Sequence, residues 1–279
     1  MNVIEAVFLG ILQGLTEFLP ISSTAHLTIA GKFLGLIEPQ HPEHWTAFIA
    51  VIQLGTLLAV LLFFFRDVLN ITAAFVSENL VSRTGFRRQS VESRIGWFVI
   101  VGSIPIAVIG LAFKDVIEGH LTKSMGVIST SLIVLALFLG LAELTGRFSK
   151  DLRKISWLDA ILIGFAQAIA VIPGCSRSGS TITAGLFLGM TRESAARFSF
   201  LLSMPAVFAS GLLEFKHSLK FMGSHDLTLL FIGTIAAAVS GYAAIAFLLK
   251  FLRTHTTYVF VCYRILLGIG VILSLNYFM

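Results

Sequence analysis

The segment QGLTEFLPISSTAH, residues 13–26, lies in the middle of an apolar stretch that extends from residue 3 to residue 37. A second apolar stretch, residues 157–190, is interrupted in the same way by PGCSRSGST, residues 173–181. Proline, glycine and clustered hydroxyl residues break a helix, so neither stretch can form one straight membrane crossing. Each stretch is therefore predicted to form a re-entrant hairpin, with two half-helices of about fifteen residues joined by a polar turn.

The composition indicates an integral membrane protein. Of the 279 residues, 56% are hydrophobic and 13% are charged, and the mean hydropathy of +0.91 lies outside the range of soluble globular chains. The net charge of +5 does not indicate nucleic-acid binding, because the basic residues lie singly or in short clusters between apolar runs. Cys175 and Cys262 show no metal-binding spacing and exclude a disulfide framework.

Other apolar stretches of the sequence are continuous and long enough to cross a hydrocarbon core of ~30 Å. They cover residues 45–65, 95–113, 125–144, 195–213, 227–249 and 257–277. The predicted fold class is therefore an all-α polytopic membrane protein with six transmembrane helices and two re-entrant helical hairpins.

The two interrupted stretches are similar to each other at a constant offset of 154 positions, as in Gln13 with Gln167 and Ser22 with Ser176. This similarity indicates an internal repeat. The predicted units are repeat 1 (residues 1–144, with its hairpin at 3–37), a cytoplasmic linker (145–156) and repeat 2 (157–279, with its hairpin at 157–190). Because three spans, an odd number, follow each hairpin, the second repeat should lie inverted in the membrane relative to the first.

The distribution of Lys and Arg predicts the orientation, because basic loops remain in the cytoplasm. If both termini are external, the cytoplasmic loops contain Arg66, Arg83, Arg87, Arg88, Arg94, Arg147, Lys150, Arg153, Lys154, Arg192, Lys250 and Arg253. The external loops then contain only Lys32, Lys114, Lys123, Lys216 and Lys220. This asymmetry favours external termini, with the two hairpin tips approaching each other near the middle of the membrane.

The hairpin tips predict an anion-binding site. The second half-helix of each hairpin begins at its tip, so free backbone N–H groups and the positive end of the helix dipole point into the protein. Glu17 and Arg177 are charged at membrane depth, where each costs about 2.5–3.5 kcal/mol without a partner. A phosphate at Arg177 and a divalent cation at Glu17 would compensate both charges. The alternative is an ion pair between the two side chains.

Other residues near the tips have structural alternatives as well. Hydroxyl side chains can simply satisfy backbone groups that the break leaves free, which applies to Ser22, Thr24, Ser178 and Ser180. His26 could be a capping or packing residue. Arg264 and Glu214 lie near the ends of predicted spans and could extend their charges to the membrane surface. Glycines such as Gly102 and Gly110 would allow close helix packing within one chain or between chains.

The segments 13–26 and 173–181 resemble the Glu/Gln-x-x-x-Glu and Pro-Gly-x-Ser-Arg-Ser-x-x-Thr signatures of bacterial undecaprenyl pyrophosphate phosphatases, the bacitracin-resistance family. The resemblance extends over nearly the whole chain and includes the pair Tyr263–Arg264. It implies an enzyme of the bacterial inner membrane that converts undecaprenyl pyrophosphate to undecaprenyl phosphate and recycles this lipid carrier for cell-wall synthesis. It also implies a requirement for Mg²⁺ or Ca²⁺ and a site open to the external face. A homodimer is compatible with the sequence.

As a hypothesis for the reaction that the resemblance implies, Ser23, His26, Glu17 and Arg177 form the catalytic set. Ser23 would attack the terminal phosphorus, His26 would transfer a proton, and Glu17 would hold the metal, with Gln13 as a further ligand candidate in a position where many relatives have Glu. Two variants remain open: His26 as the nucleophile, or a metal-activated water. The expected phosphate-binding residues are Ser22, Thr24, Gly174, Ser176, Arg177, Ser178 and Thr181.

A polyprenyl-phosphate transporter or flippase is the alternative function, because inverted repeats around broken helices are common in transporters. Fold alone does not separate the two classes. Ser23 and His26 beside an anion site favour hydrolysis, because a transporter needs only the arginine and the helix ends.

Overall fold

The computed structural model describes residues 1–37, 42–113, 124–219 and 223–275, and these residues are predominantly α-helical, with no strand among them. The helices are α1 (Val3–Phe18), α2 (Ser23–Phe33), α3 (Pro42–Phe63), α4 (Phe65–Val76), α5 (Val91–Ala112), α6 (Met125–Thr145), α7 (Trp157–Ile169), α8 (Arg177–Phe187), α9 (Arg192–Ser218), α10 (Ser224–Leu252) and α11 (Tyr258–Leu273). The predicted all-α polytopic membrane fold is confirmed.

Five helices in the described part of the chain are long and apolar enough to cross a membrane, and they correspond to five of the six predicted spans. They are α3, α5, α6, α9 and α10. The sixth predicted span, residues 257–277, is described only as far as residue 275, and within it α11 has 16 residues, fewer than the about twenty that a straight crossing requires. It ends where the Ser274 hydroxyl turns back to the Gly270 carbonyl, and the last predicted positions lie outside the described residues.

Residues 66–76, which we expected to lie in a cytoplasmic loop, form most of α4 instead. This helix begins directly after a break at Phe64 and packs against α5. Phe75 contacts Trp97 with its ring centroid 5.1 Å away. A helix of 12 residues is too short to span the membrane, and none of its residues is fully buried. Phe75 is half-buried against α5, whereas Phe65, Leu69 and Val76 stay exposed.

Both helix breaks lie at the predicted positions. The N-cap residues Ser22 and Ser176 have positive φ angles of 75° and 66°, a region that non-glycine residues adopt at a cost of about 1–3 kcal/mol. The Ser22 hydroxyl accepts a hydrogen bond from the Ala25 N–H, and the Ser176 hydroxyl accepts one from the Gly179 N–H. The two tips therefore share one backbone geometry at aligned positions of the sequence.

The two halves of the chain interlock through close helix contacts. The α1 helix packs against α10, where a Cβ atom on Gly10 would lie 2.2 Å from the Gly233 carbonyl oxygen. Likewise α7 packs against α5, where a Cβ on Gly164 would lie 2.4 Å from the Gly102 carbonyl oxygen. Each hairpin is thus held by the middle span that follows the other hairpin, and this packing fixes both tips inside the protein.

A separate ion pair connects three helices away from the tips. Glu143, near the end of α6, is 5% exposed and accepts hydrogen bonds from the Arg192 guanidinium of α9. Its second oxygen accepts a hydrogen bond of 2.8 Å from the Thr257 hydroxyl, just before α11. This pair offers a comparison for the charged residues at the tips, because it is similarly buried and touches none of them.

Candidate active site

The two hairpin tips meet through side chains that join one tip to the other. The Arg177 guanidinium, at the start of α8, forms an ion pair with the Glu17 carboxylate near the end of α1. The Ser178 hydroxyl donates a hydrogen bond of 3.0 Å to the Leu19 carbonyl oxygen. Positions that are about 160 residues apart in the sequence are therefore in direct contact, and the ion pair that we considered as an alternative is present.

The Glu17 carboxylate lies at the centre of this polar cluster. It is 7% exposed, and its Oε2 atom accepts hydrogen bonds from Ser23 Oγ at 2.7 Å and from Gln13 Nε2 at 2.8 Å. Its Oε1 atom accepts the hydrogen bond from Arg177. One carboxylate thus connects the hydroxyl of the candidate nucleophile with the guanidinium of the candidate phosphate ligand.

A cavity of about 620 Å³ extends from this cluster between the spans. Its polar part contains Glu17, Ser23 and Arg177, whereas most of its wall is apolar. The wall is formed by residues 45–53 of α3, 103–111 of α5, 170–174 of the second tip and 205–214 of α9. A cavity of this kind is suited to an amphiphilic ligand with an anionic head and a hydrophobic tail.

The predicted phosphate-binding residues divide into two groups. Ser22, Thr24, Gly174, Ser176 and Arg177 line the cavity. Ser178 and Thr181 do not line it, and their hydroxyls are engaged within the protein: that of Ser178 with the first tip, and that of Thr181 with the Arg177 carbonyl oxygen at 2.8 Å and the Ser199 hydroxyl at 2.6 Å. For these two residues the geometry indicates that they hold the tip in place.

His26 is not among the residues that line the cavity. Its Nδ1 atom is 2.7 Å from the Ser22 carbonyl oxygen, and its Nε2 atom is 2.6 Å from the Tyr263 hydroxyl. A carbonyl oxygen can only accept, so Nδ1 carries a proton, and in the neutral imidazole Nε2 then accepts from the tyrosine. The Tyr263 ring stacks on the imidazole at a centroid distance of 5.6 Å. The Ser23 hydroxyl donates to Glu17, so a carboxylate and not the imidazole occupies the position of the base.

Arg264 is a residue whose place we predicted wrongly. We placed it near the end of a predicted span, where its charge could extend to the membrane surface, but it is 0% exposed and lies between the two tips. Its guanidinium donates to the carbonyl oxygens of Pro20 at 3.0 Å and Gly174 at 2.9 Å. The sequence did contain a signal, because Arg264 is an ionisable residue inside an apolar segment, which indicates a functional position.

The residues near Glu17 are suitable for a hard divalent cation. The Glu17 carboxylate, the Ser23 hydroxyl and the Gln13 amide all provide oxygen atoms, and Gln13 Oε1 is buried without a hydrogen-bond partner among the described residues. No group of three or more His, Cys, Asp or Glu side chains in that part of the chain could hold a metal. Such a set fits a cation that takes its other ligands from phosphate and water, as Mg²⁺ commonly does.

Comparison with known proteins places the chain in a family. Residues 6–270 match the family model described as bacitracin resistance protein BacA. An undecaprenyl-diphosphatase of Syntrophobacter fumaroxidans is 64% identical over 268 residues, which is 96% of this chain and 95% of the relative. Undecaprenyl-diphosphatases of Chloroherpeton thalassium and Chlorobaculum tepidum are 52% and 50% identical, each over 99% of this chain and 98% of the relative. Since the family match covers nearly the whole sequence, this chain belongs to the bacitracin resistance protein BacA family.

Proposed function

We propose that this protein hydrolyses undecaprenyl diphosphate to undecaprenyl phosphate and inorganic phosphate, and so recycles the lipid carrier of cell-wall synthesis. The observation that carries the proposal is the contact of Ser23, Glu17 and Arg177 beside an amphiphilic cavity. Relatives named undecaprenyl-diphosphatase, at up to 64% identity over nearly the full length, support this substrate.

Substrate binding uses the second tip. The terminal phosphate replaces Glu17 as the partner of the Arg177 guanidinium. One arginine can donate two parallel N–H hydrogen bonds to two phosphate oxygens. The N-termini of α2 and α8 lie beside the cavity, so the positive ends of both helix dipoles also stabilise a bound phosphate. The apolar walls of the cavity receive the first part of the isoprenoid chain.

In the proposed reaction, Ser23 Oγ attacks the terminal phosphorus while its proton passes to Glu17 Oε2, the atom to which it already donates. The phosphoanhydride bond breaks, and undecaprenyl phosphate leaves with the electron pair. Water then hydrolyses the phosphoserine and releases inorganic phosphate. His26 contributes indirectly, because its Nδ1–H holds the Ser22 carbonyl directly before the nucleophile.

We propose a divalent cation, Mg²⁺ or Ca²⁺, as the cofactor. Glu17 would hold it, and Ser23 and Gln13 provide further oxygen atoms nearby. When bound, the cation neutralises charge that develops on the phosphate oxygens.

We place the mouth of the cavity on the external face of the bacterial inner membrane, on the side of both termini. The cavity wall uses the first part of α3 and the last parts of α5 and α9. Along an alternating chain these ends lie on one side, and the loops rich in Lys and Arg lie on the other. A lipid diphosphate in the outer leaflet could then reach the tips without its tail leaving the membrane.

The test is phosphate release from a polyprenyl diphosphate by the purified protein in detergent, with and without a chelator. We expect turnover by the wild type with metal, a loss with chelator, and a loss of about 10²–10³-fold in Arg177→Ala, which removes a charge that stabilises the transition state. Ser23→Ala should bind substrate and release no phosphate.

Two results would contradict this scheme. Binding or movement of the lipid by the wild type without phosphate release would favour a transporter. Retained turnover by Ser23→Ala would exclude Ser23 as the nucleophile and favour His26 or a water molecule.

A further inference from the structure

Arg264 is a completely buried arginine whose hydrogen bonds go to backbone carbonyl oxygens. No carboxylate among the described residues forms an ion pair with it. Its Nε donates to the Leu132 carbonyl oxygen of α6 at 3.1 Å, and its two terminal nitrogens donate to Pro20 in the first tip and Gly174 in the second. A charge in this position costs several kcal/mol, so a merely structural contact could be made more cheaply by a neutral side chain.

The planar guanidinium is suited to this position because it reaches three chain segments at once. It has five N–H donors in a fixed arrangement, whereas a lysine presents three donors on one atom. The Gly179 backbone passes so close that an added Cβ would lie 3.1 Å from the Arg264 terminal nitrogen. The arginine therefore packs directly beneath the first turn of α8, which carries Arg177 at its start.

The contact with the second tip also determines which way its peptide groups point. Both terminal nitrogens of Arg264 lie 3.4–3.5 Å from the Cys175 carbonyl oxygen. In a trans peptide the N–H points away from the carbonyl of the same unit, so the Ser176 N–H points away from Arg264. None of the hydrogen bonds described for the chain uses this N–H, and Ser176 lines the cavity.

We propose that Arg264 is a positioning residue, whose guanidinium fixes the two tips against each other and directs the Ser176 N–H and Arg177 toward the substrate phosphate. Its positive charge lies behind the anion site and does not touch the phosphate. The effect on turnover rests on the proposed phosphatase function, whereas the effect on the geometry of the second tip does not.

The experiment compares Arg264→Lys with Arg192→Lys. Both changes keep a positive charge, at a buried position for Arg264 and a half-buried one for Arg192, but Arg192 pairs with Glu143 and lies away from the tips. Turnover of polyprenyl diphosphate and thermal unfolding are measured in detergent. In parallel, both changes are made in a Cys262→Ser background, so that a methanethiosulfonate reagent reports only on Cys175, which is 7% exposed at the tip.

For Arg264→Lys we expect kcat to fall about 100-fold, the loss typical of a displacement of about 1 Å at a reacting group, with KM changed less than about threefold. Cys175 should react at least about tenfold faster. Arg192→Lys should change neither kcat nor the reaction rate of Cys175. If wild type releases no phosphate, the phosphatase assignment fails while the labelling still tests the positioning role.

The proposal is overturned if Arg264→Lys retains kcat, or if Cys175 reacts in this variant at the wild-type rate. It is also overturned if both variants lose activity only in proportion to a lower unfolding temperature, because Arg264 would then serve stability alone. If Arg264→Lys does not fold, Arg264→Gln, which keeps a planar donor group without the charge, is measured by the same labelling, and wild-type labelling of Cys175 in it overturns the proposal.

Discussion

Replacement of Glu17 by glutamine should separate substrate binding from turnover. In the free protein Glu17 forms an ion pair with Arg177, the residue that we propose binds the phosphate. A glutamine keeps the shape of the side chain and an acceptor oxygen for Ser23, but it removes the negative charge. The change therefore removes a competitor of the phosphate and, at the same time, the acceptor of the Ser23 proton.

The size of both effects follows from the contacts of Glu17. A hydrogen bond between charged groups contributes about 1.5–3 kcal/mol. In Glu17→Gln the charged bond between residue 17 and Arg177 is absent, so the phosphate no longer has to displace it. The Arg177 side chain is 16% exposed and the Glu17 side chain 5%, so the pair is only slightly screened by water. Since 1.4 kcal/mol corresponds to a factor of ten, inorganic diphosphate should bind about tenfold more tightly, at the lower end of this range. Turnover should fall by about 10²–10⁴, the usual contribution of a general base.

The assay measures binding of inorganic diphosphate to purified wild type and Glu17→Gln by calorimetry, with chelator present so that a metal at Glu17 does not contribute. Phosphate release is measured separately with metal. Glu143→Gln is the matched control, because Glu143 is a buried carboxylate paired with Arg192 outside the cavity. It should lower the unfolding temperature without increasing the affinity for diphosphate.

Weaker binding of diphosphate by Glu17→Gln than by wild type, in chelator, would refute the reasoning. Glu17 would then organise Arg177 for the phosphate instead of competing with it. Turnover at the wild-type rate would refute the assignment of the base.

Further predictions concern the metal, the histidine and the helix packing. Chelation should abolish phosphate release by wild type, and added Mg²⁺ should restore it, as measured by released phosphate. Tyr263→Phe removes a hydrogen bond to His26 and should lower kcat about two- to tenfold, in line with about 0.5–1.5 kcal/mol for a neutral hydrogen bond. An unchanged kcat would show that the contact between His26 and Tyr263 does not support the position of Ser23. Gly10→Ala places a Cβ 2.2 Å from a backbone oxygen of α10 and should destabilise the protein by about 1–3 kcal/mol in thermal unfolding. Gly270→Ala should not, because an added Cβ there would meet no described atom of a neighbouring element within 4 Å.

Much of the architecture could be predicted because membrane segments follow simple rules. Proline, glycine and serine at residues 20–24 and 173–180 break both helices where we expected. Hydropathy located the long spans, because lipid requires about twenty apolar residues for each crossing. The same rule missed α4, which is too short to cross.

The site was predicted in its composition but not in all its contacts. Ser23 and His26 are three residues apart and were expected to act together in the reaction. In the structure the Ser23 side chain turns back to α1, while His26 turns to Tyr263 on α11. Which neighbour faces each side chain depends on tertiary packing. The contacts of Arg264 were missed for the same reason, because the position of a residue along α11 does not show that the two hairpin tips pack against it. The homodimer stays a prediction.

The reciprocal packing of α1 on α10 and of α7 on α5 has a mechanical consequence. A rocking movement of one half of the molecule past the other would separate both helix pairs at once, and at Gly10 and Gly164 the backbones are already too close for a methyl group. Backbone contacts as close as these oppose sliding of the two helix pairs. A chain built in this way keeps its reacting groups in register through a catalytic cycle, and its substrate has to diffuse to a stationary site.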